Sequence, residues 1–211
     1  MTDATLGIKF GKVRAASAQH PVDVNPDTWT KHIPMKLMSI PEAITRGDLV
    51  AEGERVDWDN DDDVRRLFVL TMAWGSGKTN GRGPRNTAAA LATDGATDTL
   101  RLARTHLSAE EIPAAYDLYR QLRGIGPSFH TKWMWLVGRL VGTVPLPLIL
   151  DARVWSSLRA LKWNSLEAAG GDRRYSHRYV AYLQACQQWA GTKHSAEDVE
   201  FTLFDRNGST E

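Results

Sequence analysis

The sequence predicts an all-α protein, and three observations carry that expectation. From about residue 41 onward apolar residues recur at helical spacing, several segments carry helix start signals, and no stretch alternates like a strand. Residues 1–40, which include the turn-rich HPVDVNPDTW, lack such periodicity. They are expected to form an irregular N-terminal segment packed on a helical domain spanning 41–211.

Helices are expected near 61–74, 86–93, 96–106, 109–122, 127–141, 152–162, 175–190 and 195–204. The first opens on Asp61, Asp62 and Asp63, whose carboxylates complement the helix dipole, and spaces Val64, Leu67, Phe68 and Met72 on one face. Gly75 is well placed as the residue that ends it. Ser108-x-x-Glu111 and Ser195-x-x-Asp198 resemble capping arrangements, although Pro113 moves the start of the first helix toward Ile112. Pro127 suits a first helical position. Tyr175, Tyr179, Tyr182, Cys186 and Trp189 form a stripe on a late helix that reads as core packing.

Composition bounds the function. No apolar run approaches the ~20 residues needed to cross a bilayer, so no membrane role is expected. The start of the chain lacks a signal pattern, which makes the cytoplasm, and the nucleoid within it, the expected address of a monomer. The single cysteine, Cys186, rules out internal disulfides and multi-cysteine zinc or iron–sulfur sites, so neither metal nor cofactor is expected. Net charge is only +1, yet residues 120–160 carry six Lys/Arg against one acid, Asp151, while residues 52–63 are acidic. A basic patch on a near-neutral chain suits a polyanion bound at one face.

The stretch MAWGSGKTNGRGP, residues 72–84, contains GSGKT but is not a complete phosphate-binding loop. Counting back from Gly77-Lys78-Thr79, the glycine that opens such a loop would be residue 72, which is Met72. The flank reads as a helix where that loop requires a strand; a buried strand over LFVLTMAW is the alternative. A nucleotide hydrolase is disfavoured, and a basic loop with Lys78, Arg82 and Arg85 remains.

The informative region is 121–158. Leu122-Arg123-Gly124-Ile125-Gly126-Pro127-Ser128 reads as a helix, a tight glycine turn, and a new helix opened by proline. Gly124 and Gly126 permit backbone shapes and close approach that a Cβ forbids, and Ile125 plugs the core between them. Amides at the start of the second helix then form a seat for an anion, the logic by which a helix-hairpin-helix grips a DNA phosphate without reading sequence. GTVPLPLILD follows and delivers Asp151, which on its own would suit an N-cap.

This order, a Gly-hydrophobic-Gly hairpin, a helix, a Gly/Pro loop and an aspartate about twenty-five residues on, resembles the helix-hairpin-helix–GPD superfamily of DNA glycosylases over residues 109–160. Asp151-Ala-Arg-Val-Trp155 is similar to the Asp-x-His-x-Trp segment of 8-oxoguanine glycosylases, and AWGSGKTNGRGP with FHTKW resembles a bacterial group of that fold. The resemblance implies that Asp151 assists cleavage of the bond between base and sugar. It places the lysine nucleophile of bifunctional members at Ser128, where serine instead resembles the monofunctional, adenine-specific branch. Those enzymes usually carry a four-cysteine cluster, which this chain cannot build.

Lys132 lies four residues beyond Ser128 on the same helical face, a candidate Schiff-base nucleophile with Trp133 and Trp135 beside it to exclude water. A phosphate contact is its alternative role. Gly124, Gly126, Ser128, Arg153, Lys78 and Arg82 are the expected contacts to the DNA backbone, and Trp74 and Trp155 the expected walls of a base pocket. The expected function is excision of a damaged or modified base from duplex DNA: 8-oxoguanine by resemblance, or a decorated base such as those of phage DNA. The alternative is a helix-hairpin-helix DNA-binding protein without catalysis, in which Asp151 only caps a helix.

Overall fold

Helix α3 (Asp61–Ser76) is capped by the side chain of Asn60, which accepts from the amides of Asp62 and Asp63, and its first turn is wholly acidic. The structure is a computed structural model that describes residues 13–33, 39–77 and 81–209. Among the described residues there are eleven α-helices and one two-residue antiparallel ladder, so the fold is all-α. The ladder pairs β1 (Val22–Asp23) with β2 (Ala43–Ile44), Val22 opposite Ile44.

The chain divides into two units. The first, His20–Pro147, holds α1 (Pro26–Thr30), α2 (Arg46–Gly53), α3, α4 (Gly83–Leu91), α5 (Ala96–Ser108), α6 (Ile112–Asp117) and α7 (Pro127–Val141). Its centre is α7, which packs against α2, α3, α5 and α6. His130 to Gly138 are all buried, as befits a helix apolar on nearly every side. The second unit joins the described residues up to Gln19 to those from Leu148 onward. It contains α8 (Ala152–Ala160), α9 (Ser165–Ala168), α10 (Tyr175–Ala190) and α11 (Ala196–Arg206). A short 3-10 turn, Ala16–Ala18, docks on α11: the Ala16 amide donates to Asp198 Oδ1 at 2.8 Å and the Arg14 amide to Thr202 Oγ1 at 2.9 Å.

Several sequence expectations change in detail. Helix α3 runs through Gly75 and stops at Gly77, whose φ of +66° supplies the left-handed residue expected at Gly75. Ser108 closes α5 and caps nothing, while α6 begins at Ile112. Ser195 and Asp198 form the reciprocal capping box the sequence suggested. In the aromatic stripe Tyr179, Tyr182 and Cys186 are buried, but Tyr175 is exposed. LFVLTMAW is helical, which removes the strand that a phosphate-binding loop would need.

Candidate active site

The hairpin lies in the first unit. After α6 the chain passes through a 3-10 turn, Leu118–Gln121, and reverses over 122–126 into α7. Gly124 has a φ of +82°, and a Cβ there would stand 3.3 Å from the backbone of Asn86 on α4. Glycine is therefore required twice over, by conformation and by the close approach of α4. Gly126 differs. Its φ is −95°, and among the described residues nothing stands within 4 Å of where its Cβ would be. Ile125 is buried and closes the turn by donating its amide to the Leu122 carbonyl at 3.1 Å. The Gly126 carbonyl accepts from the amides of Phe129 and His130, which leaves the half-buried edge 126–129 as the outer rim of the turn.

One turn further on, Lys132 is only 6 % exposed. Its Nζ donates to the Ser128 carbonyl at 3.2 Å and lies 5.5 Å from the centre of the Phe129 ring. Its methylene stem runs against Gly75 of α3. The two tryptophans expected to shield it face other partners. Trp133 meets Trp58 and Phe68, with ring centres 6.0 and 5.5 Å away, and Trp135 stacks on Trp74 at 5.6 Å and 25°. The ring beside the Lys132 amine is that of Phe129.

Trp74 is 4 % exposed, and the Arg46 guanidinium stands over both stacked indoles, 5.6 Å from Trp74 and 4.9 Å from Trp135. The Trp74 Nε1 is buried and, among the described residues, has no hydrogen-bond partner. Arg82 is exposed at the N-cap of α4, and its carbonyl accepts from the amide of Asn86, the residue against which Gly124 packs. The basic loop and the hairpin, far apart in sequence, are thus joined through α4 on one side and through Gly75 and Lys132 on the other. Lys78 falls outside the described residues.

His130, next to the hairpin, was not singled out by sequence. Its Nε2 donates to the Ala115 carbonyl at 2.7 Å, tying α7 to α6, while Nδ1 is buried without a partner among the described residues. Burial lowers its pKa from 6.5 to about 4, against the opposing effect of that hydrogen bond, so the ring is neutral at ordinary pH.

Asp151 lies in the second unit and caps α8. Its Oδ1 accepts from the amides of Arg153 at 3.0 Å and Val154 at 3.1 Å. The apolar run Leu148-Ile149-Leu150 that leads to it is buried and anchored by α10: Tyr179 Oη donates to the Leu148 carbonyl at 2.6 Å and Tyr182 Oη to the Ile149 carbonyl at 2.9 Å. The tyrosine stripe, read from sequence as packing, also fixes the path into Asp151. Arg153 is exposed, with its guanidinium 4.0 Å from the centre of the Phe204 ring and Nη2 3.5 Å from the Asp205 carbonyl. Trp155 is half-buried, 6.4 Å from Trp163. Among the described residues no three His, Cys, Asp or Glu gather to hold a metal ion, and no helix is long and apolar enough to cross a membrane.

Two further features are not legible in the sequence: Gly75 reads there as a helix end, and Asn86 carries no local signal. A glycine inside an otherwise helical pattern was the available signal for the first, because such a residue needs a packing reason.

A family model described as "Putative 8-oxoguanine DNA glycosylase OGG-like protein" matches residues 15–204. No curated protein and no solved structure matches the chain.

Proposed function

The chain belongs to this OGG-like family, and on that premise we propose that it turns a damaged or modified base out of duplex DNA and severs its bond to the sugar. The family description points to 8-oxoguanine as the base. A chemically decorated base is compatible with the same scaffold, since a fold does not fix its pocket.

The hairpin holds the sugar–phosphate backbone through the N–H groups of Gly126 and Ser128, with Arg82 and Lys78 adding charge from the loop; Arg153, beside Asp151, is a further phosphate contact. As the base departs with the electron pair of the glycosidic bond, positive charge develops on the sugar, and the Asp151 carboxylate stabilises it. Lys132 supplies the nucleophile: the lone pair of its neutral amine bonds to the anomeric carbon as the carbon–base bond breaks, and a proton from that nitrogen passes to the departing base. Opening of the sugar ring then gives the iminium from which the strand is cleaved by elimination. Trp155, half-buried in α8 beyond Asp151, lines the way to the base. The observation that carries this reading is Lys132, a lysine only 6 % exposed whose amine reaches back to the Ser128 carbonyl beside the hairpin rim.

A second reading rests on the hydrogen bonds of Asp151, which caps α8 with one oxygen serving two amides. In that reading the chain grips DNA and releases no base. Duplexes carrying a panel of lesions, with the freed base identified by mass spectrometry, separate the two. The enzymatic reading expects free base, and a borohydride-trapped protein–DNA adduct that disappears in Lys132→Gln. Salt-sensitive binding with no base released from any duplex overturns it. Base release without an adduct keeps the glycosylase and removes the lysine step.

A further inference from the structure

We propose that Gly75 is a positioning residue for Lys132, leaving in α3 the gap through which the lysine stem reaches the hairpin. This role rests on the reading of Lys132 as the attacking amine, and concerns what aims it. A Cβ on residue 75 would stand 2.4 Å from Lys132 Cδ and 3.0 Å from Cε, closer than the stem can tolerate without moving.

Nothing in the backbone asks for glycine here. Gly75 sits inside α3 and is absent from the positive-φ residues, while the left-handed residue that ends the helix is Gly77. A glycine in a helix interior is less favourable than alanine, so its presence needs another reason, and space is the one the structure offers. The neighbouring stack of Trp74 on Trp135 sets α3 against α7 in the register that brings residue 75 to residue 132. Long side chains on a helix lean toward its N-terminus, which for α7 is the hairpin. The gap at Gly75 lets Lys132 take that course while buried, and its Nζ arrives at the Ser128 carbonyl and the Phe129 ring. With a methyl group at 75 the stem must swing away, and the amine leaves the rim of the hairpin for solvent.

Gly75→Ala and Lys132→Ala, single and combined, test this by three readouts on the full chain. In the thermal cycle Gly75→Ala lowers Tm when Lys132 is present and raises it when Lys132 is alanine, because only the stem opposes the better helix former. A shift of the same sign in both backgrounds overturns the proposal. Should Gly75→Ala alone not fold, the Lys132→Ala background decides: a raised Tm supports the gap, a lowered Tm overturns it. Acetic anhydride labelling of Lys132 in free protein, followed by peptide mass, should accelerate at least tenfold in Gly75→Ala; an unchanged rate overturns the proposal. Borohydride trapping on a duplex with an abasic site should fall at least tenfold, and equal trapping by wild type and Gly75→Ala also overturns it. If the wild type gives no adduct while Tm and labelling behave as expected, Gly75 still aims Lys132, and the nucleophile reading alone is lost.

Discussion

The Tyr182 hydroxyl donates to the Ile149 carbonyl at 2.9 Å, two residues before Asp151, and Tyr179 makes the matching bond to Leu148 one residue earlier. Both phenols are buried, so each carbonyl they serve would otherwise be left without a partner. Tyr182→Phe should lower stability by about 1–3 kcal/mol, and the double Phe variant by less than the sum if the two bonds hold one segment. Denaturant unfolding of the four proteins gives the coupling directly. Base release by Tyr182→Phe should fall as well, since the segment that presents Asp151 is loosened.

Asp151→Asn and Asp151→Ala should part company. Asparagine caps a helix about as well as aspartate, so Asp151→Asn should leave Tm nearly unchanged while base release drops by ~100-fold or more. Alanine loses the cap too and should cost a further ~1 kcal/mol of stability. Single-turnover assays beside thermal melts check both. Full activity in Asp151→Asn would show that the residue is a cap and nothing else.

The two hairpin glycines should also respond differently. Gly124→Ala forces a left-handed alanine, at about 1–2 kcal/mol, and drives a methyl group toward the Asn86 backbone. It should destabilise the fold. Gly126→Ala meets nothing among the described residues, so Tm should hold while affinity for duplex DNA falls evenly across sequences. Binding titrations at fixed salt, paired with melts, distinguish the outcomes.

His130 gives stability a pH dependence. Its folded pKa of about 4 lies below the 6.5 of the unfolded chain. Between those values the unfolded state takes up a proton that the native state refuses, so stability is complete above pH 6.5 and declines as pH falls toward 4. The contribution lost amounts to roughly 3 kcal/mol. His130→Gln, which keeps a donor for the Ala115 carbonyl, should flatten the profile in that window; urea unfolding from pH 4 to 7 measures it.

What sequence could and could not reveal follows from how local each feature is. Pro127 at its start and Gly142 after its end bracket α7, and the expected 127–141 is the span observed, because both signals act within a turn of the residues they govern. Helix α2 falls within the stretch read as helical from about residue 41 but receives no bounds of its own, although Thr45 and Asp48 form the same capping box recognised at Ser195. It has eight residues and buries only Leu49 and Gly53, too few for an apolar period to emerge. The end of α3 was misplaced because Gly75 and Gly77 look alike to any local rule, and Lys132, distant in sequence, distinguishes them. The contact of Gly124 with Asn86 was illegible for the same reason. Asp151 as a helix cap was legible, since Arg153 and Val154 are its nearest neighbours in the chain.

The docking of Arg14 and Ala16 on α11 has a consequence for how the molecule is made. Their partners, Thr202 and Asp198, lie 188 and 182 residues later. Residues 14 and 16 must therefore wait for α11 to be synthesised before their hydrogen bonds can close, whereas the helices of His20–Pro147 find their packing partners within that span. The synthesis of α11, not the emergence of the hairpin, sets the moment at which the unit carrying Asp151 can be completed.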